Sequence, residues 1–313
     1  MSFSSTVKDE LINFENGRQI DTENNSACCI RALQYGLLLF CRGFSVSAIN
    51  MQTENEGVAK LYAVTIKHIT GKEQNIKCSA AGKYSISVEP EKLRKQVLEY
   101  FGHTGTEITL RLNRANLSDE CCYESFLRGA FLACGTITSP NKDYHLEFIA
   151  PHLNLCKDLI KLLEEMELKA KYVVRKGNHI VYFKDSESIE DVLAHMGAVS
   201  SSLEVMEVKI IKDVRNKVNR KTNFENANLS KTVDAAVMQM RAIEHIKKER
   251  GLSYLTDELR ELALIRLENP ELSLRELGQM LSTPLSRSGV NHRLKKIIQM
   301  SEDLKTTVNV KGE

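Results

Sequence analysis

The chain has 313 residues, of which 42% are hydrophobic, 27% are charged and only 6% are aromatic. This length predicts two or three domains with cores of their own, and the lack of tryptophan argues against a carbohydrate-binding or aromatic-cage protein. The formal net charge of +2 is unevenly distributed, because residues 1–208 carry 23 basic and 27 acidic side chains, whereas residues 209–300 carry 18 and 11. The C-terminal third therefore suits an anionic partner.

The polar N-terminus and the cysteine pattern predict a protein of the reducing cytoplasm without membrane contact, cofactor or metal site. The first residues do not resemble a signal peptide, and no apolar run approaches the ~18 residues of a membrane span. There are two adjacent cysteine pairs, four single cysteines and no C-x-x-C motif. Neighbours on a helix point about 100° apart, so we expect each pair not to share one metal ion. The cysteines are Cys28, Cys29, Cys41, Cys78, Cys121, Cys122, Cys134 and Cys156.

An internal repeat follows an introductory helix predicted at residues 4–14. Residues 28–41 read C-C-I-R-A-L-Q-Y-G-L-L-L-F-C, and residues 121–134 read C-C-Y-E-S-F-L-R-G-A-F-L-A-C. In both copies the glycine, Gly36 or Gly129, has two cysteines 8 and 7 residues before it and another 5 residues after it. The spacing of 93 residues predicts two related halves, at 1–110 and 111–218.

Each copy continues into alternating strand and helix patterns. The first predicts strands at 44–51 and 61–69, a helix near 91–100 and a strand at 107–112. The second predicts strands at 136–138 and 144–149, a helix at 153–166, strands at 171–175 and 179–183, and a helix at 189–195. This order predicts an α+β fold in which helices cover antiparallel sheets.

The string L-R-G-A-F-L-A-C-G at Leu127–Gly135 resembles a degenerate LAGLIDADG motif of homing endonucleases. The resemblance implies that two such helices pack side by side at small residues, and that each would end in an acid holding a catalytic divalent metal. The corresponding positions are Cys41 and Cys134. A thiol is a poor ligand for Mg²⁺, so we expect no catalytic site. The two cysteines are interpreted as small apolar fillers of the helix interface, with a redox or soft-metal role as the alternative.

The C-terminal part is predicted to be an all-α domain at 219–302, followed by a tail at 303–313. Residues 209–221 are basic and residues 222–228 are polar and rich in asparagine, which favours a boundary near 219. Ser230 is predicted to cap a helix that is closed by Gly251, and a second helix is predicted at 257–267.

Residues 273–298 predict a helix-turn-helix. Ser273 and Glu276 form a capping box before a short helix, and Pro284 interrupts the pattern before a second helix from about Ser286. In the second helix Val290, Leu294 and Ile297 share the inward face.

The outward face of the second helix has the residue types that contact DNA, and residues 277–301 contain no acid. We expect Arg287, Ser288, Asn291 and His292 to read base edges in the major groove. We expect Arg293, Lys295 and Lys296 to hold phosphates, together with Ser282, Thr283 and Ser286 around the turn. The alternative is that this is only the solvated basic face of a small helical domain.

The combination of a degenerate LAGLIDADG-like part with the string R-S-G-V-N-H-R-L-K-K at 287–296 resembles the WhiA family. The resemblance implies a sequence-specific double-stranded DNA-binding transcriptional regulator without nuclease activity, involved in cell division, chromosome segregation or sporulation. Further partners would be the transcription machinery or another regulator.

Two alternatives remain. In one, the N-terminal halves are a protein-interaction scaffold and the C-terminal domain alone binds DNA, although Lys60, Lys67, Arg111, Arg114 and Lys142 could supply a positive face locally. The other, an active homing-type endonuclease, would need paired carboxylates at the helix ends.

Overall fold

The computed structural model describes residues 2–20 and 27–309, with the side chains of residues 16–20 and 306–309 outside the description. The chain divides into two compact units, Met1–Asp213 and Val214–Glu313. None of the described helices is both long and apolar enough to cross a membrane.

The N-terminal unit contains two halves with the same sheet topology. The first half comprises α1 (Phe3–Ile20), α2 (Ala27–Leu39), β1 (Gly43–Phe44), β2 (Ile49–Thr53), α3 (Glu56–Thr70), β3 (Lys77–Cys78), β4 (Tyr84–Ser87) and α4 (Glu91–Tyr100). The second comprises α5 (Glu120–Cys134), β5 (Gly135–Ile137), β6 (Leu146–Ala150), α6 (Leu153–Glu165), β7 (Lys171–Arg175), β8 (Asn178–Phe183) and α7 (Ser186–Met196). The antiparallel sheets have the orders β1-β2-β4-β3 and β5-β6-β8-β7. This matching order confirms the α+β fold class and the internal repeat.

Three strand predictions in the first half are wrong. Residues 44–51 are not one strand, because the chain turns between β1 and β2, where the Ser45 N–H donates to the Ala48 carbonyl oxygen at 2.9 Å. Residues 61–69 belong to α3, because Asn55 caps that helix by accepting the Val58 N–H at 3.0 Å, and Val58, Tyr62 and Ile66 recur at helical spacing on its buried side. Residues 107–112 are irregular, and at their end the Leu112 N–H donates to the Asp158 side chain at 3.0 Å rather than to a neighbouring strand.

Helices α2 and α5 pack closely at the centre of the N-terminal unit. A Cβ atom added at Gly36 would lie 2.2 Å from the Phe126 carbonyl oxygen, and one added at Gly129 would lie 2.1 Å from the Leu33 carbonyl oxygen. The two approaches are reciprocal, as a pseudo-twofold relation between two copies of one motif requires. Only glycine permits this approach at either position.

A buried ion pair attaches α1 to the second half. The Arg128 guanidinium on α5 pairs with the Glu15 carboxylate and donates from Nε to the Met196 carbonyl oxygen at 2.5 Å. It also lies over the Phe14 ring, 4.5 Å from the centroid. These partners offset the desolvation of a guanidinium that is 1% exposed.

A single helix, α8 (Val199–Glu249), occupies the segment where a polar boundary was predicted. Ser230 lies within this helix and caps nothing at its start. The physical reason is that no glycine or proline interrupts the chain between Gly197, which ends α7 with φ of 86°, and Gly251, with φ of 74°. A polar composition alone does not break a helix.

Three further helices follow in the C-terminal unit: α9 (Asp257–Glu268), α10 (Leu274–Met280) and α11 (Arg287–Asn309). The predicted tail from residue 303 instead continues α11 to Asn309, and residues 310–313 lie outside the described part of the chain. This unit has its own apolar core, formed by Ile243, Ile246, Leu255, Leu259, Leu262, Ala263, Leu277, Leu281, Val290, Leu294, Ile297 and Leu304.

Candidate nucleic-acid interface

The first helix of the predicted helix-turn-helix begins at a capping box, as expected. The Ser273 N–H donates to Glu276 Oε2 at 2.8 Å, and the Glu276 N–H donates to Ser273 Oγ at 3.4 Å. The Ser273 side chain and N–H, donating to the carboxylate, hold the pKa of Glu276 below its usual value. The helix start is thus fixed by local side chains.

The turn between α10 and α11 is closed by backbone contacts at Gly278. The Leu285 N–H donates to the Gly278 carbonyl oxygen at 2.9 Å. A Cβ atom added at Gly278 would lie 2.3 Å from the Leu285 carbonyl oxygen and 3.0 Å from Val290 Cγ2. The turn therefore needs glycine at this position.

Helix α11 places its apolar and polar residues on opposite sides, as predicted. Val290, Leu294 and Ile297 are at most 1% exposed. Of the ten predicted contact residues on the outer side of α11 and in the turn before it, eight are exposed, and Asn291 and Arg293 are half-buried. The exposed ones are Ser282, Thr283, Ser286, Arg287, Ser288, His292, Lys295 and Lys296. Positions 288, 292, 295 and 296 repeat at helical spacing, so they form one continuous surface. Ser286 Oγ also accepts the Gly289 N–H at 3.3 Å, which stabilises the helix start.

Two residues that the sequence assigned to phosphate contacts are held by acids of α9 instead. The Arg293 guanidinium pairs with Glu258 at 2.8 Å, and its side chain is 21% exposed. The Ser282 N–H and Oγ both donate to Glu261, at 2.6 and 3.0 Å. The acid-free run at 277–301 could not reveal these contacts, because both acids come from an earlier helix. Arg293 and Ser282 thus attach the helix-turn-helix to α9.

At the C-terminal ends of α2 and α5, the donor set does not fit a hard divalent metal. Burial raises the pKa of both thiols, that of Cys134 to about 12, so both are neutral at neutral pH. The Cys41 thiol donates to the Leu37 carbonyl oxygen at 2.9 Å. Lys8 is close enough to interact electrostatically with both thiols, and its ammonium donates to the Leu132 carbonyl oxygen at 3.2 Å. Mg²⁺ requires oxygen ligands, which neutral thiols beside a lysine do not supply.

Four of the five basic residues that could supply a positive face on the N-terminal unit are paired with acids. The pairs are Lys60–Glu56 at 2.7 Å, Lys67–Glu73 at 2.6 Å, Arg111–Asp158 at 2.5 Å and Arg114–Glu165 at 2.8 Å. The pairing reduces the positive charge available to a phosphate backbone on this unit.

Sequence reasoning missed a cluster of thiols at the opposite ends of the same two helices. Cys28 and Cys29 lie in the first turn of α2, and Cys121 and Cys122 lie in the first turn of α5. Their four Sγ atoms all lie within 4.8 Å of one another, and those of Cys29 and Cys121 are 3.2 Å apart. The expectation that adjacent cysteines point too far apart is wrong, because each pair faces the other across the helix interface. The internal repeat could have predicted this cluster. It places one cysteine pair at the same position of each helix, and the two helices pack side by side, so the two pairs lie next to each other.

Comparison with known proteins matches both units. Residues 123–215 match the model of the WhiA LAGLIDADG-like domain, and residues 218–301 match that of the WhiA C-terminal HTH domain. A protein of Alkaliphilus metalliredigens named "Probable cell division protein WhiA" is 36% identical, with 96% of this chain and 98% of the relative covered. A protein of the same name from Clostridium perfringens is 39% identical, with 98% and 99% covered.

A solved structure has the same fold. The crystal structure of full-length DUF199/WhiA from Thermatoga maritima is 26% identical and aligns with a TM-score of 0.57 over 97% of this chain and 99% of that one. The domain models, the full-length relatives and this structure agree, and the chain belongs to the WhiA family.

Proposed function

We propose that the protein is a sequence-specific double-stranded DNA-binding transcriptional regulator, and that the outer face of α11 reads the DNA. The observation that carries this proposal is the exposed surface of Arg287, Ser288, His292, Lys295 and Lys296 around the half-buried Asn291. A helix of this kind enters the major groove, where asparagine bonds adenine and arginine bonds guanine, while lysines hold phosphates.

Arg293 and Ser282 have a positioning role in this proposal. Their contacts with Glu258 and Glu261 fix α11 against α9, so that the reading face is presented in one orientation. The relatives are named cell division proteins, and we propose that this chain also acts in cell division. Chromosome segregation and sporulation are related processes that such a regulator would serve.

The test of the reading face is Asn291→Ala in the full chain. We expect a cost of about 1–3 kcal/mol on the selected duplex and a relaxed preference at one base pair, because alanine cannot form the bidentate hydrogen bonds to adenine. Binding to a library of randomised duplexes measures both. Asn226→Ala, an exposed asparagine on α8, is the matched control and should change neither. Unchanged affinity and preference for Asn291→Ala would show that α11 enters DNA in another orientation.

We further propose that the protein does not cleave DNA. The support is the pair of neutral thiols, Cys41 and Cys134, beside Lys8 where a nuclease of this fold type would need carboxylates. Plasmid DNA incubated with the protein and Mg²⁺ or Mn²⁺ should remain supercoiled. Site-specific cutting that persists through purification to homogeneity would contradict this.

A second candidate function concerns the N-terminal unit, which we propose as a protein-interaction scaffold. Its support is the excess of acidic side chains in residues 1–208 and the outer face of the second sheet, where the apolar side chains of Ile149 and Val173 are 36% and 41% exposed. Apolar and acidic side chains suit a protein partner, such as the transcription machinery or another regulator, better than a phosphate backbone.

A further inference from the structure

The four cysteines at the N-terminal ends of α2 and α5 form a site with the chemistry of a soft metal ion. All four are thiols, and four thiolates are the ligand set of closed structural zinc sites. The cluster is defined as Cys28, Cys29, Cys121 and Cys122.

The geometry is close to that of a tetrahedral site. With a Zn–S distance of about 2.3 Å, the sulfur atoms of a tetrahedron lie about 3.8 Å apart. The four Sγ atoms lie within 4.8 Å of one another, and those of Cys29 and Cys121 are 3.2 Å apart. Small side-chain rotations, without movement of the helices, would therefore bring four sulfur atoms onto one ion.

The position of the cluster also favours bound thiolates. All four cysteines lie in the first turns of α2 and α5, where the helix dipoles favour negative charge. Without an ion, the hydrogen bond with Cys29 and burial raise the pKa of Cys121 to about 12, so a metal ion has to displace the thiol protons. A zinc ion with four thiolates has a net negative charge. The positive ends of the two helix dipoles, which meet at the cluster, would offset part of that charge.

Access to the cluster is provided from one side. Cys121 is exposed and Cys28 is half-buried, while Cys29 and Cys122 are buried, so an ion can enter from solvent and become enclosed. One acid lies nearby, since the Cys28 thiol donates to the exposed Asp119 carboxylate at 3.8 Å. On metal binding this proton leaves, and the carboxylate can turn towards solvent.

We propose that this cluster is a structural zinc site that joins the two halves of the N-terminal unit. Each cysteine loses its proton to solvent as its sulfur binds the ion, and no oxidant or reductant is involved. The site would tie α2 to α5 at the ends opposite Cys41 and Cys134, and thereby stabilise the interface formed by Gly36 and Gly129. The proposal is independent of DNA binding by α11.

The test uses the full chain, purified under reducing conditions, stripped with a chelator and titrated with Co²⁺. We expect one equivalent to bind with the thiolate-to-cobalt charge-transfer bands and the intense visible bands of a tetrahedral sulfur site. Zn²⁺ should displace the cobalt and raise the melting temperature. The double variant Cys28→Ser with Cys121→Ser should lose the charge-transfer bands, whereas Cys78→Ser, an exposed cysteine on β3, should keep them.

Several results would overturn the proposal. One is a wild-type protein that binds no stoichiometric Co²⁺ or Zn²⁺, or binds it without sulfur charge-transfer bands. Another is retention of the bands in the double variant. A third is a Cys29–Cys121 disulfide found by mass spectrometry in metal-free protein that was purified under reducing conditions. That disulfide would assign the cluster to redox chemistry. The first of these results needs only the spectrum of the wild-type protein. The test therefore remains decisive even if a variant misfolds.

Discussion

At the scale of single residues, the helix-turn-helix depends on contacts that fix its two helices before any DNA is bound. Glu276 and Ser273 fix the start of α10, Gly278 fixes the turn, and Arg293 attaches α11 to α9. The sequence predicted the capping box, because its partners are three residues apart. It assigned Arg293 to a phosphate because the run around this residue contains no acid, and it did not predict the pair with Glu258, which is remote in the chain. Long-range ion pairs have no local signature, and for this reason individual DNA contacts are harder to predict than the motif.

The role of Gly278 is tested by Gly278→Ala. The added methyl group would meet the Leu285 carbonyl oxygen, a backbone atom that cannot move without opening the turn. We expect a decrease of about 1–3 kcal/mol in the free energy of unfolding, together with weaker DNA binding. Gly289→Ala is the matched control, since its nearest contact outside the helix backbone would be Leu285 Cβ at an ordinary 3.6 Å.

The control variant Gly289→Ala should leave the free energy of unfolding unchanged or raise it by up to about 1 kcal/mol, because alanine has a higher helix propensity than glycine. Urea unfolding of the full chain measures both variants. Equal stability of the two would show that the turn is not closely packed at Gly278.

At the scale of helices and strands, the sequence predicted the internal repeat and the packing of α2 against α5 correctly. It predicted several single segments outside the repeated motif incorrectly. The second half followed the prediction because its strands are bounded by turn residues such as Lys176 and Gly177. Residues 61–69 were predicted as a strand because β-branched and aromatic residues dominate them, but tertiary packing of Tyr62 and Ile66 selects a helix. The segment near 219 was predicted as a linker on polarity, whereas α8 continues because nothing in it stops a helix.

The element on which the N-terminal unit depends is the α2–α5 pair. Gly36→Ala would place a methyl group 2.2 Å from the Phe126 carbonyl oxygen, which forces two backbones apart. We expect the free energy of unfolding to fall by about 3 kcal/mol or more, visible as a lower melting temperature by circular dichroism.

Gly57→Ala, in the first turn of α3, is the corresponding control. Its added methyl group would meet Ile12 Cδ1, the far end of a flexible side chain that can rotate away. A change of at most about 1 kcal/mol is therefore expected. If Gly36→Ala and Gly57→Ala had the same melting temperature, the close approach of the α2 and α5 backbones would not be what stabilises the packing of the two halves.

At the scale of the whole molecule, the C-terminal third carries both the excess of positive charge and the proposed reading surface. Residues 1–208 have an acidic excess, and four of the five basic residues considered for DNA contact there are paired with acids. We therefore expect the phosphate contacts to lie on α11. The charge distribution could be counted from the sequence, but the ion pairs of Arg111 and Arg114 could not be predicted, because their acids are 47 and 51 residues away in the chain.

The most direct measurement of this claim is the salt dependence of DNA binding by the full chain. Removing one lysine that neutralises a phosphate should reduce the slope of log affinity against log salt by about 1. Lys295→Ala with Lys296→Ala should therefore reduce the slope by about 2 and weaken all duplexes alike. The matched control is Lys92→Ala with Lys142→Ala, two exposed lysines of the N-terminal unit, which should leave the slope unchanged. The opposite pattern, a slope reduced only by the N-terminal pair, would contradict the assignment to α11 and place the phosphate contacts on the two-sheet unit.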